Sequence, residues 1–274
     1  MSYECGSGTV ARGSVGQTSG VDRRCEMNPF LAPVGAQWLA VSGQIPRRFV
    51  VNYRTPASRL ARLLPSPFSV DERDGFGFVS VCALVVRGMG IDVAPAFLRF
   101  DNVEFLYRIG VRHRIDGADV PTFLTLRSDV SAAALAFLGR HFSHYRPRRA
   151  ALTYREDDAG VSITCSSNDG LGDGSIKADL ATLSDASPGS TFRSAQDASD
   201  FLLGMDHSAG DLPGGRVQIQ PIEHSPWEAR FVGRVEVKLP FLEHLSDAFG
   251  LTLEYDSTLH MENIAQTWRA TRCL

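Results

Sequence analysis

The stretch Phe100-Asp101-Asn102-Val103-Glu104-Phe105-Leu106-Tyr107-Arg108, with Asp116-Gly117-Ala118-Asp119 and Pro121-Thr122-Phe123-Leu124-Thr125-Leu126 after it, sets the architecture. Successive side chains of a strand point to opposite faces, so Asn102, Glu104, Leu106 and Arg108 share one face and Val103, Phe105 and Tyr107 the other. Asp-Gly is turn chemistry, and the segment beyond it reads as the returning strand. Upstream, residues 76–86 and 48–54 also have strand character. Between them Thr55 suits an N-cap with Pro56 at the first helical position, and Leu60, Leu63 and Leu64 give an apolar helix face closed by Pro65.

Downstream, residues 131–142 are rich in alanine and leucine and form the strongest helix signal, delivering the loop at 144–149 from its C-terminal end. Residues 152–155 and 161–165 read as a hairpin, and another strand is expected near 175–182. Ser194-Ala195-Gln196-Asp197 is an acidic variant of the capping box and should start a helix reaching Leu203. Residues 216–223 and 227–238 look like a long antiparallel pair, 241–249 a short helix and 251–255 a closing strand. Many short strands with a few short helices specify an α+β fold, mostly antiparallel β. Residues 1–35, rich in Gly, Ser and Thr, read as a flexible leader to a single domain over residues 36–274.

The 274 residues carry a net charge of -3, which supplies no basic field for nucleic acid. Apolar runs fall short of the ~20 residues that span a bilayer, and no early segment resembles a signal peptide, so the expectation is a cytoplasmic protein with no membrane partner. Five cysteines without a CxxC pair argue against a disulfide framework or a cysteine zinc site. His141-x-x-His144 has no placed third ligand, and no metal is expected. Asn168-Asp169-Gly170-Leu171-Gly172-Asp173-Gly174 invites a calcium reading but lacks the glutamate of an EF-hand, leaving a flexible loop. His224 reads as a structural residue at a strand end. No cofactor is indicated, and a homo-oligomer is left open.

Two further segments carry a family resemblance. Gly139-Arg140-His141-Phe142-Ser143-His144-Tyr145-Arg146-Pro147-Arg148-Arg149 is similar to the lysine-bearing segment of acetoacetate decarboxylases, where a Tyr-Pro-Lys-Lys run supplies the Schiff-base amine. Val50-Val51-Asn52-Tyr53-Arg54-Thr55-Pro56, followed after a short helix by Leu64-Pro65-Ser66-Pro67, resembles the opening of the same superfamily. The chain is identified as resembling its uncharacterised bacterial branch, domain of unknown function 2071.

That resemblance implies a cone-shaped β-barrel enclosing a pocket, with a few peripheral helices. It puts Arg148 at the position of the reactive lysine and Arg149 at that of its neighbour. A guanidinium stays protonated and cannot form an imine, but its planar fork suits a carboxylate, so this pair is either an anion site or an ordinary solvated loop. Glu104, Asn102 and Arg108 could face a wet cavity or bulk solvent, and Glu104 is the candidate catalytic residue. Arg47 and Arg48 lie near the family's substrate-carboxylate arginine, although ungapped alignment puts Pro46 there. The expected partner is a small anionic organic molecule, a carboxylate or keto acid, bound without Schiff-base chemistry. The alternative is a lyase or hydrolase acting on a small organic acid through arginine and carboxylate groups.

Lys177 and Lys238 are the only lysines, and neither lies in the matching segment. Borohydride treatment in the presence of acetoacetate should therefore leave the intact mass unchanged. A stoichiometric adduct on either lysine would overturn the expectation.

Overall fold

The computed structural model describes residues 39–158, 160–212 and 216–273; the expected leader lies outside them. β1 (Val41–Pro56) runs into α1 (Ala57–Leu60) and the short β2 (Ser69–Val70). Then come β3 (Phe76–Ile91), β4 (Phe100–Ile115) and β5 (Ala118–Val130). β1, β3, β4 and β5 pair antiparallel in succession, and β2 joins β4. Asp116 and Gly117 at φ 50° and 85° make the tight turn between β4 and β5, a left-handed conformation suited to Asp-Gly.

α2 (Ala133–Phe142) leads to β6 (Arg148–Asp157), β7 (Gly160–Ser167) and β8 (Gly174–Ala178). β6 leaves the end of β5 in parallel, and the three form an antiparallel arm. After β9 (Leu183–Ser184) and α3 (Ala195–Leu203) come β10 (His207–Leu212), β11 (Arg216–His224), β12 (Arg230–Val232) and β13 (Val235–Lys238). α4 (Pro240–Phe249), β14 (Glu254–Trp268) and β15 (Arg272–Cys273) complete the order. β10 pairs β5 in parallel, β11 pairs β10 and β14, and β14 pairs β1. The pairings thus pass through β1, β3, β4, β5, β10, β11 and β14 and return to β1.

The mixed, strand-rich α+β class is as expected, and α2, α3 and α4 occupy the expected segments. The Ser194 hydroxyl accepts from the Asp197 N–H at 3.2 Å, the capping contact read from sequence. Three expectations are corrected. Thr55 does not cap α1: it is a buried strand residue, Pro56 stands at the N-cap, and α1 spans four residues. Residues 216–223 and 227–238 do not pair with each other. β12 joins β14 and β9, while β13 joins β8, because Gly233-Arg234 splits the segment and long-range partners claim its halves. β14 extends far beyond 251–255; Asp256, Ser257, Thr258 and His260 are buried in it, and their polarity hid the strand pattern.

Both faces of β1, β3 and β4 are covered, so period two sorts their side chains into two cores. Phe49, Val51, Val81, Phe105, Tyr107 and Ile109 pack with Ile163, Ile176, Leu242 and Leu245 of β7, β8 and α4. The alternate positions, among them Val50, Cys82 and Leu84, pack with Leu202, Met205, Trp227 and Met261. Burying one such large side chain contributes roughly 1.5–3 kcal/mol. Among the described residues no helix is long and apolar enough to cross a membrane.

Between β5 and the arm, the buried Arg127 donates to Asp129 at 2.8 Å and in a fork to Asp169 at 2.8 and 2.9 Å. These bonds hold the Asp169 carboxyl well below the usual range. The segment from 168 to 174, expected as a flexible loop, is therefore tied to the sheet by its first aspartate. Asp129→Ala should lower stability by on the order of 2–3 kcal/mol, because a buried guanidinium loses one carboxylate. Urea unfolding checks this, and a change below about 0.5 kcal/mol would show that Asp169 alone suffices.

Candidate functional site

The inward side chains of the strand circuit leave a cavity of about 70 Å³. β1 contributes Arg48 and Val50, β3 Cys82 and Leu84, β4 Glu104, Leu106 and Arg108, and β5 Phe123 and Thr125. The register explains the convergence. Arg48 is opposite Leu84, which is opposite Glu104, while Arg108 is opposite Thr125, so the inward set of each strand falls on the same face as its neighbour's. Tyr145 enters from the segment after α2, and Ser208, Gln220, His224 and Gln266 enter from β10, β11 and β14.

The charges inside are unusual. Arg108 is buried with its guanidinium stacked 3.6 Å from the Phe123 ring centroid. Arg48 donates to the Gln266 side-chain oxygen. Among the described residues neither forms an ion pair with a carboxylate, and the Nε of each is buried without a hydrogen-bond partner. Burial lowers both groups, Arg108 to about 10 with the nearby Arg48 pushing the same way, and a guanidinium keeps its proton in proteins. A buried and a half-buried guanidinium that repel each other, with no carboxylate partner among the described residues, have the chemistry to take up an anion.

Glu104 accepts from the Ser128 hydroxyl at 2.7 Å. Burial raises its carboxyl from 4.5 to about 7, with Asp129 adding to the rise and Ser128 opposing it. Tyr145 lies beside it, its phenol raised by burial and by the Glu104 charge. His144 bonds Ser208 through Nε2 at 2.9 Å, and burial lowers it to about 3, so it is neutral. Among the described residues no group of three His, Cys, Asp or Glu side chains could hold a metal ion; the side chain of His141 is outside the description.

Of the residues singled out by sequence, Glu104 and Arg108 line the cavity. Asn102 shares their face but is structural: its oxygen accepts the N–H groups of Ser131 and Ala132 at 3.1 and 3.0 Å, holding the lead-in to α2. Arg148 and Arg149 are corrected outward. Arg148 is 60% exposed and pairs with Asp169 at 2.8 Å, and Arg149 is exposed with Nη1 on the Ala150 carbonyl. The reason is the parallel seat of Arg148 opposite Asp129, beside the acidic groups that already bind Arg127. From the same motif it is Tyr145 that enters the cavity. Arg48 was legible through alternation with Val50, whereas Ser208, Gln220 and Gln266 carried no local signal.

The raised Glu104 carboxyl fixes a sign. The native chain keeps this proton between about pH 4.5 and 7 while the unfolded chain has released it, so stability from this group is present below pH 4.5 and lost as pH rises to 7. At about 1.4 kcal/mol per unit the effect is on the order of 3 kcal/mol. Glu104→Gln should flatten this part of the stability profile measured by denaturant unfolding across that window. An unchanged slope in the variant would show that Glu104 titrates normally.

Comparison with known proteins agrees with the fold. Acetoacetate decarboxylase from Legionella pneumophila superposes with TM-score 0.59 at 13% identity, over 95% of this chain and 98% of that one. The enduracididine biosynthesis enzyme MppR complexed with pyruvate gives 0.56 at 15%, over 93% and 98%. An acetoacetate decarboxylase-like enzyme from Sphingomonas wittichii gives 0.56 at 18%, over 86% and 93%. No curated protein matches the chain. Residues 44–255 match the DUF2071 family, described as an uncharacterized conserved protein, and with its acetoacetate decarboxylase-like fold this chain belongs to that family.

Proposed function

We propose that the protein binds a small organic anion, a carboxylate or keto acid, between Arg48 and Arg108, without Schiff-base chemistry. The observation that carries this is the pair of cavity-lining guanidiniums, Arg108 buried and Arg48 half-buried, with no carboxylate partner among the described residues. The cavity of about 70 Å³ admits several water-sized volumes and so limits the part of a ligand held there to a few heavy atoms. MppR with bound pyruvate offers a precedent of suitable size on this fold. Absence of an imine is supported by the two lysines: Lys177 is 61% exposed and pairs with Glu236, Lys238 is exposed, and neither lines the cavity. The closed circuit of strand pairings supports a cone-shaped barrel around this site, formed by a single domain. A cytoplasmic location is part of the same reading.

A second reading is favoured by Glu104. A carboxyl at about 7 in the arginine-lined cavity can accept or return a proton at neutral pH, the requirement for general acid–base catalysis on a bound acid. A lyase or hydrolase would use it with the arginines holding the developing negative charge.

Small carboxylates and keto acids should raise the melting temperature, an anion at a hundredfold excess over its Kd contributing about 2.7 kcal/mol. Arg48→Gln and Arg108→Gln should each remove the shift while Arg148→Ala retains it. A shift lost only in Arg148→Ala would overturn the cavity assignment. If the protein is an enzyme, Glu104→Gln abolishes turnover while keeping the melting shift.

A further inference from the structure

A second cavity of about 400 Å³ adjoins the first. It lies among the start of β1, the last residues of β3 with the connection to β4, and the ends of β11 and β14, with Ser42, Arg87, Gly88, Arg99, Glu223 and Thr267 in its wall. Gln266 and His224 line both cavities. Gln266 is buried and receives the inner Arg48, while Nδ1 of His224 donates to the Ser225 carbonyl at 3.2 Å. The two spaces are therefore parted by residues that each faces.

The charged groups of the outer cavity differ in one respect. Arg87 pairs with Asp101 at 2.6 Å, and Glu223 is taken by Arg269 at 2.8 Å. Among the described residues Arg99 donates only to neutral oxygens, the Gly88 carbonyl at 3.0 Å, the Ser42 hydroxyl at 3.3 Å and the Asp92 carbonyl at 3.4 Å. A guanidinium has five N–H donors, so Arg99, oriented by three acceptors, keeps donor capacity and its full charge for another.

We propose that the two cavities form one binding channel, and that its ligand is an elongated acid with two anionic ends. One end sits between Arg48 and Arg108 and the other on Arg99, with the chain between them displacing Gln266 from Arg48. This rests on the anion site proposed above and extends it to a substrate class, the dicarboxylic acids or acids carrying a second anionic group. The inner cavity alone holds the head of such a molecule, and the outer one holds the remainder.

The test is calorimetric titration of the full chain with linear monocarboxylates and with dicarboxylates of increasing length. Wild type should bind one range of dicarboxylate lengths about tenfold more tightly than the matching monocarboxylates, as one added charge-assisted contact warrants. Arg99→Gln keeps a polar amide but removes the charge, and should erase the dicarboxylate advantage while leaving monocarboxylate affinity unchanged. A melting temperature near that of wild type shows the variant folded, and Arg99→Lys, which keeps the charge, should preserve part of the advantage. Monocarboxylate binding with no dicarboxylate preference would overturn the channel and leave the inner site standing. Failure of every carboxylate to bind would overturn the inner site and the channel with it.

Discussion

The pairing of β4 with β5 decides what the rest of the molecule can do. β5 also receives β10, and through β11 and β14 the hydrogen-bonding path returns to β1. A sheet whose pairings return on themselves has an inside face, and the side chains on it meet one another. Period two then becomes a device for assembling a site. Arg48 lies on β1 and Glu104 and Arg108 lie on β4, and the register through β3 turns them to one cavity.

The two arginine environments make an instructive contrast. Arg127, outside the cavity, is buried against two aspartates, and its charge is answered within the fold. Arg48 and Arg108 are enclosed with a glutamine and a phenylalanine as their neighbours. A buried cation is costly unless something pairs with it, and this unanswered pair is what the proposed anion site rests on. Glu104 does not fill that role: it is held partly protonated, with Ser128 and Tyr145 rather than an arginine as its close company.

The motif between α2 and β6 shows how a family pattern can be kept while its chemistry moves. The positions that suggested an anion-gripping pair are occupied by arginines turned to solvent, and the tyrosine of the same motif is the residue that reaches the cavity. Arg148 pairs with Asp169 near the surface, where an ion pair costs little desolvation. His144, next to Tyr145, is neutral and bonded to Ser208, which links this segment to β10 across the circuit.

The amino-acid order by itself determined the local pieces. Alternation over 100–108 put Glu104 and Arg108 on one face, Asp116-Gly117 made the turn, Ser194 with Asp197 opened α3, and the alanine-rich segment formed α2. The fold class followed from those pieces, and the family resemblance from two short motifs. Tertiary structure alone decided which face became an interior. It also decided that β12 and β13 leave β11 for distant partners, that Arg148 turns to Asp169, and that Arg48 and Gln266, more than two hundred residues apart, share one bond. The physical reason is that alternation is a property of neighbouring residues, whereas burial depends on which strand lies alongside, and that is settled only when the circuit of hydrogen bonds closes.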